Sequence, residues 1–193
     1  MAEDSPSPHP EMLAHLGPLA ALVGIWEGAE GVDISPAKDG SKETHFRERM
    51  TFEPIGEVNN HEQSLYGLRY ATQVWRIGAD STFHEEVGYW LWDAADKQVI
   101  RCFIVPRGNT VMAGGTVEAD ARSFEMIAEV GSETYGICSN KFLAEEFRTV
   151  RFEVNITIHD KDSFSYDEDT VLQIKGQDEL FHHRDSNTLQ RVS

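Results

Sequence analysis

The chain has 193 residues, 40% of them hydrophobic and 10% aromatic, which is enough for one domain with a real core and too apolar for wholesale disorder. Lys and Arg number 17 against 33 Asp and Glu, and the net charge of −16 argues against a nucleic-acid or anionic-membrane surface. No apolar run approaches the roughly 20 residues of a membrane helix, and the N-terminus shows no secretory pattern, so a cytoplasmic protein is expected.

In chain order, Met1–Pro10 is rich in proline, serine and acid and reads as a disordered tail ahead of one domain over 11–193. Glu11–Val23 places Met12, Leu13, Leu16, Leu19, Leu22 and Val23 at spacings of three and four, predicting a short amphipathic helix broken at Gly17-Pro18. From Gly24 onward strands alternate with turns. Ile25–Gly31 precedes a loop over Ser35–Lys42 with an Asp39-Gly40 turn signal. His45–Pro54 sets Phe46, Glu48, Met50 and Phe52 on one parity against Arg47, Arg49 and Thr51. His61–Ile77, Phe83–Asp93, Lys97–Pro106, Val111–Glu118, Ser123–Val130, Phe147–His159, Ser163–Leu172 and Phe181–Val192 complete the series. Hairpin-length gaps and the lack of βαβ spacing predict an all-β fold, a roughly ten-stranded antiparallel up-and-down β-barrel of the lipocalin or fatty-acid-binding type. A closed barrel of that size leaves room for one small ligand, whereas a packed sandwich would leave none.

Candidate residues come from a few places. Gly24-Ile25-Trp26-Glu27-Gly28 puts one bulky ring between two glycines, as a plug closing the barrel or as part of a ligand lining. His84 and Glu86, two apart in a strand, face the same way and suit a hydrogen-bonded pair better than a two-ligand metal site. His182 and His183 point to opposite faces of the last strand, and His183 shares parity with Phe181 and Leu189, which makes it the inward candidate. A neutral imidazole there could ligate haem iron. Cys102 and Cys138 form no CxxC and read as packed thiols. Nucleophile elbows, phosphate loops, dinucleotide fingerprints and HExxH motifs are all absent, so no catalytic residue is assigned.

Four motifs in order, Gly24-Ile25-Trp26-Glu27-Gly28, His84-x-Glu86-x-Gly88-Tyr89, Pro106-Arg107-Gly108 followed by Gly114-Gly115, and Asn187-Thr188-Leu189-Gln190-Arg191-Val192, resemble the nitrobindin group from about Leu16 to Val192. The resemblance implies a ten-stranded barrel that holds ferric haem b through a histidine on its last strand and is associated with nitric oxide chemistry and peroxynitrite isomerisation. The chain departs from that pattern. The third glycine of GxWxGxG falls on Glu30, the Tyr-Pro-Thr stretch has no counterpart in Val32–Pro36, and the position of the iron ligand falls on Arg184. Arginine does not ligate iron, because its guanidinium stays protonated. His183-Arg184-Asp185-Ser186-Asn187-Thr188-Leu189 is closer to a bacterial nitrobindin-like subgroup without the usual haem ligand. The expectation is therefore a barrel that takes a small apolar or amphipathic ligand, with Gly24, Trp26 and Gly28 near the site. Haem b held by His183, with peroxynitrite isomerase activity, is the alternative, and a non-catalytic interaction module that forms a homodimer is the second alternative. No metal apart from that haem iron, no nucleic acid and no membrane partner is expected.

Overall fold

The structure, a computed structural model, describes residues 10–193. The expected disordered tail lies outside the described residues except for Pro10, which opens the four-residue helix α1, Pro10–Leu13. A 3₁₀ helix follows at Gly17–Leu22, and the break between the two falls at Gly17, whose φ of +53° suits glycine. A Cβ on Gly17 would also stand 2.5 Å from the Trp92 ring.

Eleven strands follow: β1 (Gly24–Ala37), β2 (Gly40–Asn59), β3 (Ser64–Arg76), β4 (Thr82–Asp93), β5 (Gln98–Val105), β6 (Asn109–Thr116), β7 (Ser123–Val130), β8 (Gly136–Ser139), β9 (Phe147–Ile158), β10 (Ser163–Ile174) and β11 (Phe181–Arg191). They close into one barrel in the order β1-β11-β10-β9-β7-β8-β6-β5-β4-β3-β2, so the sheet has no open edge. The pairing is antiparallel throughout except between β7 and β8, where Glu129 and Val130 run parallel to Gly136 and Ile137. The fold class expected from alternation is the one observed, with β8 as the extra strand. At four residues β8 is too short to show a period, and the helix α2 (Lys141–Glu146) that follows it was not legible either. Asn140 caps α2 by accepting a hydrogen bond from the Leu143 amide at 2.9 Å.

Two details of register position the interior. The β1–β2 hairpin turns tightly through Lys38-Asp39, pairing Ala37 with Gly40, so the expected polar loop over Ser35–Lys42 is mostly strand. A bulge between Gly28 and Gly31 shifts β1 against β2, and beyond it Gly31, Asp33 and Ser35 carry the inward parity. In contrast, β10 and β11 pair without interruption from Ser163↔Gln190 to Leu172↔Phe181. The last strand therefore keeps a strict alternation, with His183, Asp185, Asn187 and Leu189 on one face.

The barrel has one closed end. Leu16, Leu19 and Leu22 cross it and are fully buried, packed with Trp26, Phe52, Trp92 and Phe164. The Trp26 ring meets Phe164 edge-on at 4.8 Å, and its indole N–H donates to the Leu22 carbonyl at 2.7 Å, so its polar atom is satisfied within the plug. Cys102 is half-buried, and burial pushes its thiol up. Cys138 is exposed on the outer side of short β8, which corrects the expectation that both thiols are packed.

Candidate functional site

Above the plug the strands enclose a cavity of about 610 Å³, so side chains do not fill the interior. Its wall includes Met50, Trp90, Phe103, Phe152, Val154 and Phe164. Phe46, Val74, Phe83, Val105, Phe147 and Leu172 continue that wall toward the open end, where Leu143 of α2 and the exposed Lys42, Arg76 and Arg107 form the rim.

Between wall and rim lies a ring of buried polar groups. Arg101 is 4% exposed and stands at its centre. Its Nη2 donates to Glu86 Oε2 at 2.6 Å, and its Nη1 donates to Glu168 Oε2 at 2.9 Å. Tyr70 donates to the same Glu86 oxygen at 2.9 Å, and His84 Nε2 lies 3.1 Å from the other, Glu86 Oε1. Arg101 also lies over the Phe103 ring at 4.3 Å, so its faces rest on aromatic surface while its edges meet carboxylates. The His84 and Glu86 pair expected from parity is thus a hydrogen-bonded pair.

Glu48 is held differently. It is 4% exposed, and among the described residues it has no cationic partner. Thr72 Oγ1 donates to Oε1 at 2.9 Å, while Tyr166 Oη at 2.9 Å and Asn187 Nδ2 at 3.2 Å donate to Oε2. Burial raises Glu48 to about 7, and these three hydrogen bonds offset only part of that rise. Burial acts in the same direction on Glu86, but the Arg101 charge and the bonds from His84 and Tyr70 outweigh it and hold that carboxyl well below its usual range. Burial raises Glu168 despite Arg101, and raises Asp185 further, with Glu168, Glu48, Glu86 and Asp33 adding repulsion.

His84, Glu86 and His183 line this cavity, whereas Gly24, Trp26 and Gly28 do not. Gly24 begins β1 where the C-terminus passes, and a Cβ there would meet Arg191 at 2.8 Å. Trp26 is plug. Gly28 makes room for Asn187, whose Nδ2 would stand 2.7 Å from a Cβ at that position, so this glycine acts on the polar ring from behind. The Gly-x-Trp-x-Gly motif therefore builds the closed end and its wall rather than the lining. His182 faces outward, with Nδ1 at 2.7 Å from Asp169 Oδ2, and Arg184 is exposed beside the same carboxylate. His183 turns inward, and its Nε2 lies 2.6 Å from Asp33 Oδ1.

The ring itself was missed, although one signal for it stood in the sequence. Glu48, Arg101 and Glu168 each sit on the apolar parity of their strands, with Phe46 and Met50, Val99 and Phe103, and Tyr166 at i±2, and Glu86 shares its parity with Trp90 four residues on. An isolated charge on an inward parity marks a buried polar site.

The match to the family model described as "THAP4-like, heme-binding beta-barrel domain" runs over residues 15–191, nearly the whole chain. The chain belongs to this family. The nitrobindin-like resemblance read from the four motifs is thereby established. Among solved structures, the chain is similar to one described as the crystal structure of Rv2717c from M. tuberculosis, with a TM-score of 0.63 and 20% identity over 97% of this chain and 100% of that one. At that identity the likeness shows the shared fold. No curated relative matches the chain.

The family name raises the question of haem, which the lining can be tested against. An axial ligand needs a ring nitrogen whose lone pair faces an open apolar space wide enough for a flat macrocycle. Both imidazoles of the cavity present Nε2 to a carboxylate, His183 to Asp33 and His84 to Glu86. Asp185 flanks the first, and the Arg101 guanidinium pairs with the carboxylate that holds the second. The residues present do not fit an axially ligated haem in this arrangement.

Proposed function

We propose that this member of the family binds a small amphipathic molecule inside the barrel, in the cytoplasm. The observation that carries the reading is the continuous cavity of about 610 Å³ with an apolar wall and a buried polar ring. A wholly apolar guest would strip the ring of hydration without replacing its hydrogen bonds, at a cost of about 1–3 kcal/mol per group. A guest with a carboxylate directed inward would add charge beside Glu48, Glu86 and Glu168. The ligand that suits the cavity has an apolar body against Phe103, Phe152 and Val154 and an uncharged or cationic hydrogen-bonding end at the ring. The free thiols Cys102 and Cys138 suit a reducing compartment.

Native mass spectrometry of gently purified protein, followed by displacement of an environment-sensitive lipid probe, tests this reading. A bound small molecule, or saturable probe binding abolished by Val74→Trp in a folded protein, supports it, because Val74 lines the cavity toward its mouth. Protein that is empty and takes up no probe overturns it. The second reading, haem binding, has the family description behind it. Haemin titration decides between the two. A sharp Soret band lost in His183→Ala would replace the amphipathic-ligand reading with haem, and a featureless titration would remove haem from this chain.

A further inference from the structure

At the open end of the cavity, Asp33, His183 and Asp185 bring one donor atom each to within 4.8 Å of one another. The topology compels the meeting. Asp33 of β1 and Asp185 of β11 are direct antiparallel partners, so their side chains share the inward face, and His183 sits two residues before Asp185 on that face. Two carboxylates directly opposite in a ladder repel, and such a pair is destabilising unless something positive stands between them. His183 compensates Asp33, with Nε2 at 2.6 Å from Oδ1. Among the described residues no group donates a hydrogen bond to Asp185 and no basic side chain pairs with it, although it lies inside the barrel wall with Glu168, Glu48 and Glu86 adding negative potential.

We propose that Asp33, His183 and Asp185 form a binding site for a first-row divalent cation such as Zn²⁺, Mn²⁺ or Co²⁺. Two hard carboxylate oxygens and one imidazole are a donor set these ions take, and the remaining coordination positions open onto the cavity. A cation bonded at about 2.1 Å to each donor needs them about 3–4 Å apart, which side-chain rotation reaches from the observed spacing. The ion replaces the proton shared between Nε2 and Oδ1. Nε2 becomes a ligand through its lone pair once its proton has passed to Nδ1 of the same ring, and Asp33 turns an oxygen to the metal. Asp185 supplies the third ligand and loses its repulsion with Asp33. The site does not depend on which molecule occupies the rest of the cavity.

The test uses the full chain, dialysed against chelator and then titrated calorimetrically with Zn²⁺ or Mn²⁺ alone, with Co²⁺ followed by its visible absorption. One equivalent should bind. His183→Ala and Asp185→Asn should each weaken binding on the order of 100-fold, since loss of an outer-shell partner alone costs roughly 10–100-fold in such sites. Asp185→Asn should also raise the melting temperature of the metal-free chain while abolishing the rise produced by metal, a paired signature that a misfolded variant cannot give. His182→Ala, outside the barrel on the same strand, should bind as the parent does. No saturable binding of any of the three ions, or unchanged binding in both His183→Ala and Asp185→Asn, overturns the proposal. So does a haemin complex lost in His183→Ala when the free ions do not bind.

Discussion

The closed end and the polar ring of this barrel are built by the same strands and the same alternation, yet they are held together by different physics. At the closed end, Leu16, Leu19, Leu22, Trp26, Phe52 and Phe164 exclude water through packing, and the polar atom of Trp26 is answered locally. Two to four residues further along β2 and β10, and on the neighbouring β3, β4 and β5, the inward positions become Glu48, Tyr70, Thr72, Glu86, Arg101, Tyr166 and Glu168. There, stability depends on each charge having its partner, and the partners come from strands far apart in sequence, as Tyr166 and Glu48 do. The plug tolerates changes of pH and salt, whereas the ring is sensitive to protonation and, at its upper edge, to cations.

The sharpest way to break the comparison is to remove the cation at the centre. Arg101→Met leaves Glu86 and Glu168 enclosed without compensation and should cost about 3–5 kcal/mol in urea unfolding. Adding Glu86→Gln and Glu168→Gln should recover most of that loss, because an uncharged ring has no unpaired carboxylate to bury. Leu19→Ala, at the plug, should cost about 2–5 kcal/mol by cavity formation. Its loss should be the same at pH 5 and pH 8, and probe binding in the distant cavity should be unchanged.

Protonation offers a finer contrast. Folding raises Glu48 from 4.5 to about 7, so its neutral form is favoured in the native state. The stability it contributes is present below pH 4.5 and is lost as pH rises to about 7, a span corresponding to as much as about 3 kcal/mol. Glu86 has the opposite sign: its carboxyl is depressed, so its contribution is present above pH 4.5 and is lost as pH falls below that. Together they place the stability maximum near pH 4.5, with stability falling on either side. Thermal unfolding across pH 4–8 should show this, and Glu48→Gln should flatten the alkaline side while leaving the acid side intact. The smallest effect belongs to the outer surface. His182→Ala removes an exposed pair with Asp169 and should change stability by less than about 1 kcal/mol. A larger loss there would mean that the outside of β11 carries part of the load assigned here to its inside.

These contrasts also explain what was legible beforehand. The break at Gly17-Pro18, a tight turn beside the expected Asp39-Gly40, the inward direction of His183 and the hydrogen bond between His84 and Glu86 all follow from spacing within one segment. By comparison, β8 and α2 are too short to carry a period. The placement of Trp26 in the plug rather than the lining depends on where the 3₁₀ helix crosses the barrel, and that is a contact between segments.

By itself the amino-acid sequence determined the all-β class, the parity of the strands long and regular enough to alternate, and the family, because alternation and local motifs are short-range properties of the chain. Closure of the sheet decided the rest. It selected which charges on inward parities share one level, paired Asp33 with Asp185 across the first and last strands, and gave Arg101 to Glu86 and Glu168 while leaving Glu48 to hydroxyl and amide donors. Electrostatic energy in a low-dielectric interior depends on distance through space, and only the folded barrel sets those distances.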